Sequence, residues 1–82
     1  MIIHATKDTV WWKNLSAATD EKALFKDKVY FKVGTTDYSA ALTDMAGCNV
    51  KITYRFEPRD RTHTRYALGE EKELMILVMK WS

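Results

Sequence analysis

Residues 50–68, VKITYRFEPRDRTHTRYAL, limit the possible folds more than any other stretch of the chain. Val50, Ile52, Tyr54 and Phe56 alternate with Lys51, Thr53 and Arg55. Period-two alternation of β-branched and aromatic residues specifies a strand with one face buried. Glu57-Pro58-Arg59-Asp60-Arg61 interrupts it. Pro58 has no N–H for a ladder and Asp60 favours a turn. Alternation resumes from Thr62 to Leu68, so the stretch is expected to form a β-hairpin.

The register follows from the pattern. Pairing Tyr54 with Thr64, Ile52 with Tyr66 and Val50 with Leu68 keeps the apolar side chains on one face and leaves a loop of about five residues, within the usual hairpin range. A slip of one residue mixes the faces. A slip of two sets Arg55 opposite Arg65, and like charges directly opposite destabilise a sheet. In the favoured register Lys51, Arg55, His63 and Arg65 share the outer face, with Arg59 and Arg61 at the tip. Residues 51–65 hold five Lys or Arg against Glu57 and Asp60, a local +3, although the whole chain carries only +2.

The rest of the chain is read around this hairpin. With 82 residues it is expected to be a single compact domain, residues 1–82. An apolar share of 46% with 12% aromatics is that of a folded globule, not a disordered chain. Met1 to Ala5 fits a first strand. Trp11 and Trp12 are adjacent indoles that point to opposite faces of a strand, or sit about 100° apart on a helix, so at least one is expected to be partly exposed or covered by the segment that follows. Ser16 to Asp27 fits a short surface helix, capped by Ser16 or Thr19, with Asp20 and Glu21 in its first turn and Lys26 near its end. Val29 to Val33 fits a strand, and Gly34-Thr35-Thr36-Asp37 a turn. Tyr38 to Ala46 fits two templates. Tyr38, Ala41, Leu42 and Met45 match a helix capped by Thr36 and ended by Gly47, whereas Tyr38, Ala40 and Leu42 match a strand returning from the turn. The short turn and the β context favour the strand. Gly69 ends the second hairpin strand, and Leu74 to Trp81, LMILVMKW, fits a strand buried on both faces. The expected architecture is mostly β: an antiparallel sandwich or barrel of about five to six strands with one or two short helices at most. The alternative is α+β, with a helix over 36–46 packed on an antiparallel sheet.

Few chemistries are available. Cys48 is the only cysteine. A small secreted domain normally carries an even set, so one thiol points to a reducing, cytoplasmic compartment. Met1-Ile2-Ile3-His4 lacks the basic and apolar regions of a secretory leader. The longest apolar run is far short of the roughly 20 residues of a membrane span. His4, His63 and Cys48 have no zinc-site spacing, and Gly34, Gly47 and Gly69 stand alone rather than in a phosphate loop. Cys48, His63 and Asp44 have no local signature of a nucleophilic triad. No enzyme activity, metal or cofactor is therefore expected.

What remains is the basic face. Arg binds carboxylate or phosphate bidentately. Lys51, Arg55, Arg59, Arg61, His63 and Arg65 are the candidate partner-binding residues, with Trp11, Trp12 and Tyr30 as further hot-spot candidates. The expected function is a non-enzymatic module, an inhibitor or adaptor such as phages encode, docking an acidic protein surface. One alternative is nucleic-acid binding through the same face, disfavoured because Tyr54 and Phe56 are expected to face the core. Another is a homo-oligomeric assembly subunit. The competing structural reading is a solvated face whose charges discourage aggregation.

Overall fold

A computed structural model describes residues 1–19, 36–57 and 59–82. In chain order these form β1 (Ile2–Ala5), α1 (Val10–Ala18), α2 (Thr36–Ala46), β2 (Val50–Glu57), β3 (Thr62–Gly69) and α3 (Glu71–Lys80). The expected strand at Val29–Val33, most of the helix expected at 16–27 and the hot-spot candidate Tyr30 lie outside the described residues.

The architecture is α+β. One antiparallel sheet of three strands, ordered β1-β3-β2, is packed with three helices among the described residues. The expected sandwich or barrel of five to six strands is therefore incorrect, and the α+β alternative fits. Two segments account for the difference. Residues 36–46 form α2 rather than a returning strand. Residues 71–80 form α3 rather than a strand buried on both faces. Strong helix formers (Glu71, Lys72, Glu73, Leu74, Met75) lead α3, and Glu71 and Glu73 in its first turn and Lys80 in its last complement the helix dipole.

The hairpin forms, but its register is one residue away from that expected. Val50 pairs with Gly69, Ile52 with Ala67, Tyr54 with Arg65 and Phe56 with His63. The inner face of β3 is therefore Gly69, Ala67 and Arg65, and Tyr66 and Leu68 turn outward. The expected register assumed that every apolar residue of the hairpin belongs to one core. A layer of helices makes a different demand. Large side chains descend on the sheet from Trp12, Leu15, Leu42, Leu74 and Leu77, all fully or almost fully buried. The central strand meets them with its small residues, Ala67 and Gly69. A Cβ on Gly69 would lie 3.1 Å from Val50 Cγ1 and 3.2 Å from the Asn49 carbonyl oxygen, so this close approach itself favours glycine.

The helices bury apolar stripes at helical spacing. In α1, Trp11, Trp12, Leu15 and Ser16 are buried. The Ser16 hydroxyl donates to the Trp12 carbonyl at 2.7 Å, which satisfies the one buried polar side chain of the core among the described residues. In α2, Leu42 and Ala46 face the sheet. Thr43 ties α2 to the open edge of β2: the Ile52 amide donates to its Oγ1 at 2.9 Å, and the hydroxyl donates to the Ile52 carbonyl at 3.4 Å. Gly47 follows α2 with φ +73°, a left-handed conformation that glycine adopts without a Cβ penalty. α3 is held at the Gly69 end of the sheet. The Asn49 amide donates to the Glu73 carboxylate at 3.2 Å, and the Trp81 indole donates to the Ala46 carbonyl at 3.0 Å.

Candidate binding surface on the hairpin

Helices cover one face of the sheet. On the other face, strand register sets the side chains in rows. Ile2, Leu68 and Lys51 form the first row, and His4, Tyr66 and Thr53 the second. Beyond the end of β1, Thr64 lies beside Arg55. His4 and Tyr66 are in ring contact, with centroids 6.0 Å apart and planes tilted by 55°. The face thus grades from an apolar corner at Ile2 and Leu68, through an aromatic pair, to cations along β2.

The candidate residues are divided by the observed register. Lys51 and Arg55 are exposed on the outer face. Arg59 and Arg61 are exposed at the tip, where Arg61 takes a left-handed φ of 54°. None of these four has an ion-pair partner among the described residues. His63 and Arg65 belong to the other face. The Arg65 guanidinium is half buried, 5.3 Å from the centre of the Tyr54 ring and 5.6 Å from that of Trp12, and so engages both π-faces. Trp12 and Tyr54 are themselves stacked, with centroids 6.0 Å apart. His63 Nδ1 lies 2.5 Å from the Tyr54 hydroxyl. Desolvation, and then the Arg65 cation, hold the His63 pKa below its ordinary value. Both residues support the Tyr54 and Trp12 side chains instead of widening the basic surface.

Trp11 and Trp12 are core residues. They form an edge-to-face pair, and Trp12 is only 1% exposed. Neither indole is available to a partner. Of the two outcomes expected, partial exposure of one indole or cover by the segment that follows, the first is not found: both are buried, and α1 packs against α2 and α3. Tyr66 is the surface aromatic that the sequence reading missed. The cue was its alternation with Ala67, whose small side chain marks the inward position of a central strand under helices.

Other chemistry is sparse. Among the described residues no three His, Cys, Asp or Glu side chains are grouped to hold a metal ion. Cys48 is a half-buried free thiol, and burial, then the Glu73 carboxylate, push its pKa up, away from the thiolate a nucleophile requires. No described helix is long and apolar enough to cross a membrane. An open groove of about 620 Å³ beside Met1, Thr43, Lys51 and Glu70 has no converging set of catalytic groups. No protein-family model, curated protein or solved structure matches the chain.

Proposed function

We propose that the chain is a non-enzymatic binding module, an inhibitor or adaptor, that docks an acidic protein surface through the β2–β3 hairpin. The observation that carries this is the set of four exposed cations, Lys51, Arg55, Arg59 and Arg61, without ion-pair partners among the described residues. Their charge is uncompensated within the described fold and so is available to steer and hold an acidic partner. The single thiol supports a reducing compartment, the cytoplasm, as the place of action.

Affinity capture from the native cytosol, with and without nuclease, tests the reading. A specific protein should be retained after nuclease treatment, and an Arg55→Glu, Arg59→Glu variant should lose it while its melting temperature stays within about 2 °C of the parent. Retention of that protein by the reversed variant would rule out this surface.

A second reading rests on one observation: Tyr66 and His4 share the outer face with Lys51 and Arg55. An aromatic pair flanked by cations is the arrangement that single-stranded nucleic acid uses, bases stacking and phosphates pairing. The ground on which this alternative was disfavoured applied to Tyr54 and Phe56, not to Tyr66. Titration of a labelled single-stranded oligonucleotide separates the two. On this reading Tyr66→Ala costs about 1–3 kcal/mol of binding and affinity falls steeply with salt, and an absence of binding at low salt removes it.

A further inference from the structure

With β3 in the centre, the sheet has two edges, and the fold treats them differently. On β2 the edge is closed at Ile52, whose amide and carbonyl both engage the Thr43 hydroxyl. On β1 the register shows which groups face outward. The Gly69 amide donates to the Met1 carbonyl at 3.0 Å. Bonded and non-bonded pairs alternate along an antiparallel ladder. Ile3 therefore bonds Ala67 and Ala5 bonds Arg65, while Ile2 and His4 turn their amide and carbonyl groups away from β3. Among the described residues nothing pairs with these groups on that side. Ile2 is 50% exposed, and Ile2–Ala5 contains neither Pro nor Lys, the usual guards of an open edge.

We propose that β1 is a docking edge for an extended segment of another protein, added antiparallel as a fourth strand, with apolar side chains at alternate positions and a basic residue at its C-terminal end. The unpaired groups of Ile2 and His4 select the backbone: an open edge takes an extended chain, main-chain hydrogen bonds give affinity, and pockets for alternate side chains give specificity. The pocket is beside the edge. Ile3, on the helix side of the sheet opposite Ala67, lines a groove of about 320 Å³ with Met1, Leu74, Met75, Val78 and Met79. In an added strand the residues level with Met1, Ile3 and Ala5 point to this side, and those level with Ile2 and His4 point to the other. The sole charged side chain on the lining is Glu71, which follows the Gly69 end where Met1 pairs, and it has no ion-pair partner among the described residues. In an antiparallel segment the residue beyond Met1 is C-terminal, and a cation there meets that carboxylate. This contact is separate from the cationic hairpin and takes a partner of different chemistry, apolar and basic in place of acidic.

The probe is a synthetic peptide, Val-Thr-Val-Thr-Val-Lys, capped at both ends and titrated into the isotope-labelled full chain. Saturable binding with a Kd of about 1 mM or tighter is expected. Hydrogen exchange should slow at the Ile2 and His4 amides and stay unchanged at Ile3, which is already in the ladder. N-methylation of both threonines removes the donors that face β1 and should weaken binding at least about tenfold. N-methylation of the central valine, whose amide faces away, should not. His4→Pro removes an outward donor without touching a ladder bond, and should weaken the peptide about fivefold while β1 stays paired with β3. Glu71→Lys should weaken it about threefold, and a peptide ending in glutamate should regain the loss. No binding at millimolar peptide, or binding that survives methylation of the threonines, overturns the docking edge. Indifference to Glu71→Lys overturns the direction of the added strand. Ile2 and His4 amides protected without peptide, in a species of twice 9.6 kDa, would assign the edge to a second copy and overturn the proposal.

Discussion

Arg65 does two things at once: it contributes to net charge and it fills a place in the packing. Its guanidinium lies over the Tyr54 and Trp12 rings, and the residue is half buried. Arg65→Ala is therefore expected to lower stability by about 1–2 kcal/mol, read as a denaturant midpoint shift at constant slope, and Lys should recover only part of this because it lacks the flat face. His63 gives a pH dependence. Its pKa is lower in the fold than in the unfolded chain, so between the two values the unfolded chain binds more protons and stability rises with pH. Its contribution is present above the ordinary histidine pKa and is lost as the pH falls from there through the lower value of the folded state. Melting curves at pH 7.5 and pH 5 should show a smaller acid-induced loss in His63→Gln than in the parent, and an equal loss in both would exclude the mechanism. Thr43 makes a third residue-level case. Thr43→Val keeps the shape but leaves the Ile52 amide without its partner, a cost of about 1–3 kcal/mol.

At the level of elements, what could be read from sequence depended on how many layers a segment touches. The hairpin strands were legible because period two depends only on one face being buried. Their register was not, because it depends on what the other layer brings. Ala67 looked like a gap in an apolar face, yet it is the residue that the central strand sets beneath the helices. The Met1–Ala5 strand was also legible. Its pairing with β3, Ile2 to Leu68 and Ala5 to Arg65, follows from the central position of β3 and not from any local pattern. For Tyr38 to Ala46 the cap and terminator signals pointed to the observed helix, and the surrounding strands drew the reading away from them. The Leu74–Trp81 run misled for a clear reason. Unbroken apolarity fits burial on both faces of a strand, whereas α3 buries Leu74 and Leu77 and leaves Met75, Ile76, Val78 and Met79 exposed. Truncations separate the two faces. Leu77→Ala should cost about 2–5 kcal/mol, and Met75→Ala no more than about 0.5 kcal/mol. A strand buried on both faces would make the two costs similar.

On the scale of the whole molecule, the hairpin cations run from Lys51, beside Leu68 at the Gly69 end of the sheet, through Arg55 to Arg59 and Arg61 at the tip, whereas α3 crosses the Gly69 end. The cations of the hairpin are set by the strands and their turn, and the methionines of α3 by a helix fixed across the Gly69 end. Of the candidate site, Lys51, Arg55, Arg59 and Arg61 were recognisable in the sequence as one charged surface, since strand alternation and the turn suffice to expose them. His63 and Arg65 were misassigned by the one-residue register difference, and the α3 surface was missed with the helix itself. The separation makes a joint prediction. Distant sites act additively, so charge reversal at Arg55 and Arg59 should remove partner binding while leaving the melting temperature within about 2 °C, and Met79→Glu should leave partner binding and its salt dependence unchanged. In the combined variant the change in partner affinity should equal that of the hairpin reversal alone, within about 0.5 kcal/mol. A larger discrepancy would mean that the partner also touches α3.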